Sequence, residues 1–237
     1  MAGFTTHVTV SSTLGVAYGL IGHFQYHVAP ETAALAGCLC GASGMLPDLD
    51  SDSGRPLRET VGFTASIVPM LMIHRFEEWG MSHDAMALAG IGLYFAVRYG
   101  MARMLKRLTV HRGMYHSIPA CLIAGLIAFL LCESDTLEIR YFKAGAVMAG
   151  FMSHLVLDEI WSIGMKRGWI HVKSSFGTAL KLWGESMGPN VFTYSLLAAL
   201  AYLAVNDPYW MQQRLRKWHN HDRTEQVAGR ADESPPR

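Results

Sequence analysis

Charged side chains are scarce in this chain. Asp, Glu, Lys and Arg make up 16% of its 237 residues, whereas soluble domains carry about 25%. Apolar residues make up 51%, and the mean hydropathy is +0.19. This composition is too apolar for an ordinary soluble protein and too polar for a transporter made wholly of lipid-facing helices. Because the net charge is only +1, we expect no nucleic acid partner.

Cysteines are also few, and each lies in an apolar segment or at its end. Cys38 and Cys40 are two positions apart, so on a helix they point in different directions. We interpret these two cysteines, and also Cys121 and Cys132, as small core or lipid-side residues. We do not expect disulfides or thiolate zinc ligands among them. The N-terminus has no basic region and no small-residue cleavage site, so we expect no cleaved signal peptide.

The chain shows no sustained alternation of apolar and polar residues, which excludes long half-buried strands and predicts an all-α fold. Seven apolar runs are predicted as helices: 8–28, 32–46, 60–74, 85–99, 118–132, 141–160 and 190–205. Most of these runs are at or below the ~20 residues that a perpendicular span needs, so several could be tilted, re-entrant or buried within the bundle. We predict a multi-helix transmembrane bundle over residues 1–205 and a polar, partly disordered tail over residues 206–237.

Basic residues are distributed unequally between the two ends of this bundle. If the first six runs alternate in direction, 11 Lys and Arg residues lie on one face, counting segment 161–189, and three lie on the other. The positive-inside rule makes the first face cytoplasmic. The tail also carries basic residues, so we expect that the last run, or another, does not cross the membrane.

The same alternation gathers ionisable residues from distant parts of the chain on the cytoplasmic side. They are His7, Asp48, Asp50, His111, His116, His154 and Asp158. His154 and Asp158 have the i,i+4 spacing that places two side chains on one helix face. Ionisable groups at a membrane border are costly unless they are paired, ligated or hydrated. Because the donors are nitrogen and oxygen only, they suit one or two ions of zinc, manganese or iron.

A short polar stretch, 111–117, lies between a basic segment and the fifth apolar run. Ser117 is predicted to cap the helix that follows, and Gly113 lets the loop fold back. Arg112 is placed to hold an anionic oxygen. We assign Arg112 and Asp50 as candidate catalytic residues, because a divalent ion beside them would activate water at neutral pH.

Each of these residues also has an ordinary interpretation. Asp158 could cap a helix or pair with a basic residue, the acids of segment 48–50 could form a turn after a proline, and His7 could be a surface histidine. His23 and His27 share the i,i+4 spacing but lie at the opposite end of their helix from His7. We therefore assign His23 and His27 to positions outside the site.

Four motifs in order carry a resemblance to a known family. They are His7, Leu46-Pro47-Asp48-Leu49-Asp50, His111-Arg112-Gly113-x-x-His116-Ser117 and Ser153-His154-x-x-x-Asp158. This set resembles the YdjM-like family of membrane-bound, metal-dependent hydrolases over roughly residues 1–185. The family is similar to helical, multi-zinc phosphoesterases of the phospholipase C and P1-nuclease type. The resemblance implies metal ligation by the seven residues above.

Our leading hypothesis is an integral membrane hydrolase with its site facing the cytoplasm. It would use a divalent metal, with zinc favoured, on a phosphoester such as a phospholipid headgroup, because a basic rim at the membrane favours anionic lipid. The alternative is a non-catalytic membrane protein with a structural or sensing metal site. A third reading is a soluble bundle with a very apolar core. An open coordination position distinguishes a catalytic from a structural site.

Overall fold

A computed structural model describes residues 3–50, 54–101, 114–132, 134, 136–166, 169–172 and 180–207. Its α-helices are α1 (Phe4–Tyr26), α2 (Pro30–Ser43), α3 (Gly54–Leu71), α4 (Ile73–Glu78), α5 (His83–Phe95), α6 (Ile118–Leu131), α7 (Leu137–Ser162) and α8 (Met187–Val205). A 3-10 helix covers Leu46–Asp50, and a π-helix covers Ala96–Met101. Strands β1 (Ile163–Lys166) and β2 (Trp169–Val172) pair antiparallel.

The predicted apolar runs coincide with the long helices, and the helical fold class is confirmed. Local chemistry sets several of the ends. Pro30 starts α2, where its missing N–H costs nothing. The Ser117 hydroxyl accepts a hydrogen bond from the Ala120 N–H at 3.3 Å and so caps α6 as predicted. The β1–β2 hairpin is not predicted from the sequence, because strands of four residues are too short to show an alternating pattern.

Helix α7 is central, because it packs against α1, α2 and α6. Glycines allow the backbones to touch. A Cβ at Gly15 of α1 would overlap the Gly37 carbonyl of α2, and a Cβ at Gly150 of α7 would overlap the Cys40 carbonyl of α2. Small residues at such crossings are typical of helices that pack within membranes. The Gly150 contact sets how closely α7 approaches α2.

A buried arginine joins the other end of α7 to its neighbours. The Arg140 guanidinium donates to both carboxylate oxygens of Asp207 at 3.1 and 3.2 Å and to the Phe129 carbonyl at 3.0 and 3.2 Å. It also lies over the Phe129 ring. Asp207 follows α8, within the segment predicted as tail, and it is buried. The rest of the predicted tail, residues 208–237, lies outside the described residues.

By length and composition, α8 is the one helix in the described ranges that could cross a membrane. Only 17% of its apolar window is buried, which distinguishes it from the core helix of a soluble protein. Helix α6 is apolar but shorter. A bundle with several spans stays a prediction.

We expect Gly150→Ala to lower the thermal stability of the detergent-solubilised protein, because the new methyl group must push α7 away from the Cys40 carbonyl. Overpacking of this kind costs about 1–3 kcal/mol, which corresponds to a fall in Tm of roughly 2–12 °C for a chain of this size. Gly92→Ala is the matched control, since Gly92 of α5 has no heavy atom within 4 Å of a built Cβ. Equal melting temperatures for the two variants, measured by circular dichroism, would contradict the packing argument.

Candidate metal centre

Five of the seven predicted ligands meet beside the C-terminal half of α7. They are His7 of α1, Asp48 of the 3-10 helix, His116 in the loop before α6, and His154 and Asp158 of α7. They form two overlapping groups that share His154: His7, His154 and Asp158 in one, Asp48, His116 and His154 in the other. In each group the ligand atoms lie within 4.8 Å of one another, a spacing that could hold a metal ion. We call these five residues the His/Asp cluster.

Asp158 is the centre of the His/Asp cluster. Its Oδ1 lies 3.2 Å from the Nε2 of His7, and its Oδ2 lies 3.7 Å from the Nε2 of His154 and 3.8 Å from the Nε2 of His116. Two of these three distances are too long for a hydrogen bond. Ligands bound to one tetrahedral zinc at 2.0–2.2 Å are about 3.4 Å apart. The observed separations are therefore typical of donors that converge on an ion.

The hydrogen bond made by His154 decides which of its nitrogens faces the cluster. Its Nδ1 lies 2.7 Å from the carbonyl oxygen of Gly44, at the end of α2. Because a carbonyl can only accept, Nδ1 carries the proton and Nε2 presents a lone pair. This is the arrangement in which a second hydrogen bond orients a metal-binding histidine.

The lone pair of His154 is buried. The side chain is fully inaccessible, and in the described part of the chain its Nε2 has no hydrogen-bond partner. A buried polar atom without a partner costs about 1–3 kcal/mol. A bound cation would remove that cost, so the nitrogen and oxygen donors of the cluster fit a divalent metal.

Two histidine rings of the His/Asp cluster stack on each other. The rings of His7 and His154 are nearly parallel, with centroids 3.6 Å apart, and His116 lies 5.5 Å from His154. Two imidazolium cations would repel each other at the first of these separations. Neutral imidazole is also the form that binds metals. The stacked pair therefore does not carry two positive charges.

The members of the His/Asp cluster differ in their exposure to solvent. The side chains of His7, His154 and Asp158 are exposed by 4% or less, whereas those of His116 and Asp48 are exposed by 11% and 23%. Asp48 reaches inward, with its Oδ1 3.7 Å from the Nε2 of His154. Asp48 and His116 are therefore the most exposed of the five cluster residues.

The sequence interpretation missed two features that position these ligands. Gly44 orients His154, and its only sequence signal is its place after the small-residue helix α2. The segment before α8 also packs against the loop of His116: the Ile118 N–H donates to the Lys181 carbonyl at 3.2 Å. The Asn190 side chain holds this segment through two 2.8 Å hydrogen bonds to the backbone of Gly184. No motif in the sequence indicated that contact.

The other predicted site residues have no described side chain. His111 and Arg112 lie outside the described residues, as does the side chain of Asp50, so their roles stay predictions. His23 lies at the far end of α1, where its Nδ1 is 2.9 Å from the Val28 carbonyl. It belongs to neither ligand group.

The comparison of the sequence with known families is consistent with the motifs. The family model described as YdjM inner membrane protein matches residues 1–211. This span contains all seven predicted ligands and each described helix. No curated protein and no solved structure is significantly similar to the chain.

We expect His154→Ala and Asp158→Asn to lose bound metal, because each removes a donor that faces the others. Loss of an outer partner of a ligand already costs 10–100-fold in affinity, so removal of a donor should cost roughly 100-fold or more. Elemental analysis of detergent-purified protein after reconstitution with zinc or manganese checks this. His23→Ala is the control and should retain the wild-type content. Wild-type metal content in both cluster variants would show that the ligands are wrongly assigned.

Proposed function

Since the chain belongs to the YdjM inner membrane protein family, we propose that it is a membrane-bound, metal-dependent hydrolase of phosphoesters such as phospholipid headgroups. The observation that carries this proposal is the convergence of three histidine rings on Asp158, with the lone pair of His154 aimed into the same space. Such a cluster could hold the metal ion with which a metal-assisted hydrolase activates water.

The exposed surface supports a place in the membrane. Large apolar side chains stand out on several helices, among them Phe24 at 72% exposure, Leu88 at 71% and Tyr202 at 69%. Extended apolar surface of this kind is typical of contact with lipid or a partner. We propose that α8, the last apolar run, spans the membrane together with other helices, so that the run expected not to cross is another one. The excess of Lys and Arg on the cluster side supports a cytoplasmic site.

The cluster residues divide the work of such an enzyme. His7, Asp48, His116, His154 and Asp158 would hold the metal, with His111 and Asp50 as further predicted ligands. A divalent ion, zinc in our proposal, supplies activation of water and neutralisation of phosphate charge. In the hydrolysis, the water oxygen bonds to phosphorus, the bond to the leaving oxygen breaks, and that oxygen takes a proton. Arg112 is predicted to hold a phosphate oxygen.

The burial of His154 and Asp158 favours a second candidate, a structural or sensing metal site without catalysis. A structural site is closed by protein ligands, whereas a catalytic site keeps a position for water. The greater exposure of Asp48 and His116 supports the catalytic alternative, because a partly exposed ligand set favours access of water and a phosphoester to the cluster.

We expect the metal-loaded wild type to hydrolyse bis-p-nitrophenyl phosphate or phosphatidylglycerol in mixed micelles, and His116→Ala to lower both activity and bound metal by roughly 100-fold or more. A chelator should abolish hydrolysis while the helical circular dichroism signal and Tm change little. If the chelator instead unfolds the protein, the metal is structural. A metal-loaded wild type that hydrolyses neither phosphoester would overturn the hydrolase proposal.

A further inference from the structure

A groove of about 660 Å³ runs along the paired helices α1 and α2, and Phe63 of α3 adds to its wall. Its volume is in the range of small-molecule sites, about 300–1,000 Å³. Its lining within the described residues contains no Asp, Glu, Lys or Arg, and its polar side chains include Ser12 and His23. The groove is therefore suited to an uncharged, apolar ligand.

Small residues create this groove. Gly15 and Gly37 let the backbones of α1 and α2 touch, so no side chain fills the space beside their contact. Val16 and Leu20 line one side and are 65% and 53% exposed. The groove is shallow, has an uncharged floor and follows the axis of α1, and we call it the channel.

Two residues that line one end of the channel are adjacent in sequence to residues that build the His/Asp cluster. Val8 and Met45 line that end. Val8 follows His7 in the sequence, and Met45 follows Gly44, whose carbonyl orients His154. The channel therefore shares backbone segments with the cluster.

The channel is also long enough for a lipid chain. It extends along α1 from Val8 to His23, which is about 22 Å at 1.5 Å per residue. One leaflet of a bilayer is about 15 Å deep, half of its ~30 Å hydrocarbon core. The channel is therefore long enough to hold an acyl chain that extends through one leaflet.

We propose that this channel binds the acyl chain of a phospholipid whose phosphoester lies at the His/Asp cluster, an inference that rests on the proposed hydrolase function. The charges match: the channel is uncharged, the cluster that shares its backbone segments would hold a cation, and a phospholipid joins an uncharged chain to an anionic phosphate. The channel then makes the site selective for long-chain phosphoesters over free headgroups.

Photo-cross-linking tests the occupant without requiring activity. Metal-free protein in nanodiscs receives a phosphatidylglycerol with a diazirine in its acyl chain, and adducts are mapped by mass spectrometry. We expect adducts on α1 and α2 to exceed those on α5, whose Leu88 and Ile91 are equally open to bulk lipid. Ala34→Trp should remove the excess because Ala34 is an exposed residue of the channel. Leu35→Trp is the matched control on the same helix and should retain it.

A chemical block after folding gives an independent measurement. Cys38 lines the channel and is exposed, whereas Cys40, Cys121 and Cys132 are buried. Alkylation with N-benzylmaleimide should therefore fill the channel selectively and remove the excess adducts. Cys38→Ser protein treated in the same way should keep them.

The possible results separate the two proposals. Adducts that are equal on α1, α2 and α5, or that survive both blocks, overturn the channel proposal even if the wild type hydrolyses phosphoesters. An α1–α2 interface in a stable dimer, shown by cross-linking between copies, also overturns it. If the protein binds metal and gives channel adducts but hydrolyses no phosphoester, the hydrolase proposal fails and the channel remains a lipid-binding site.

Discussion

The direct contact of backbones between α7 and α2 is the constraint on which the rest of the site depends. Gly150 lets α7 approach the carbonyl of Cys40, and one helical turn further on the His154 ring meets the carbonyl of Gly44. A larger residue at position 150 would separate the two helices at the place where the ring needs its acceptor. The direction of the His154 lone pair is thus a consequence of helix packing.

The same contact explains how buried ligands can be arranged before any ion binds. Asp158 lies one turn beyond His154, and α1 presents the ring of His7 parallel to that of His154. Helices hold these three side chains, whereas Asp48 and His116 come from shorter segments and are more exposed. The helices therefore fix the geometry of the buried ligands, and the shorter segments supply the two more exposed ones.

Much of this could be predicted from the sequence, because the signals were local. The i,i+4 spacing of His154 and Asp158 needs only helix geometry, and Ser117 before a proline-containing apolar run identifies a helix start. Gly44 and Lys181 could not be found in this way, since their roles arise from contacts between distant segments. The β1–β2 strands are too short for a period, and the buried pair of Arg140 with Asp207 has no local pattern at all.

The Arg140–Asp207 pair gives α7 a second polar anchor, fourteen residues and about 21 Å from His154. It has a consequence for where the folded unit ends. A chain that stopped after α8, at Val205, would keep each apolar helix and yet leave the Arg140 guanidinium buried without its carboxylate, a loss that typically costs about 3–5 kcal/mol. A truncated chain that keeps Asp207 should therefore be more stable than one that ends at Val205, and the difference comes from charge and not from hydropathy.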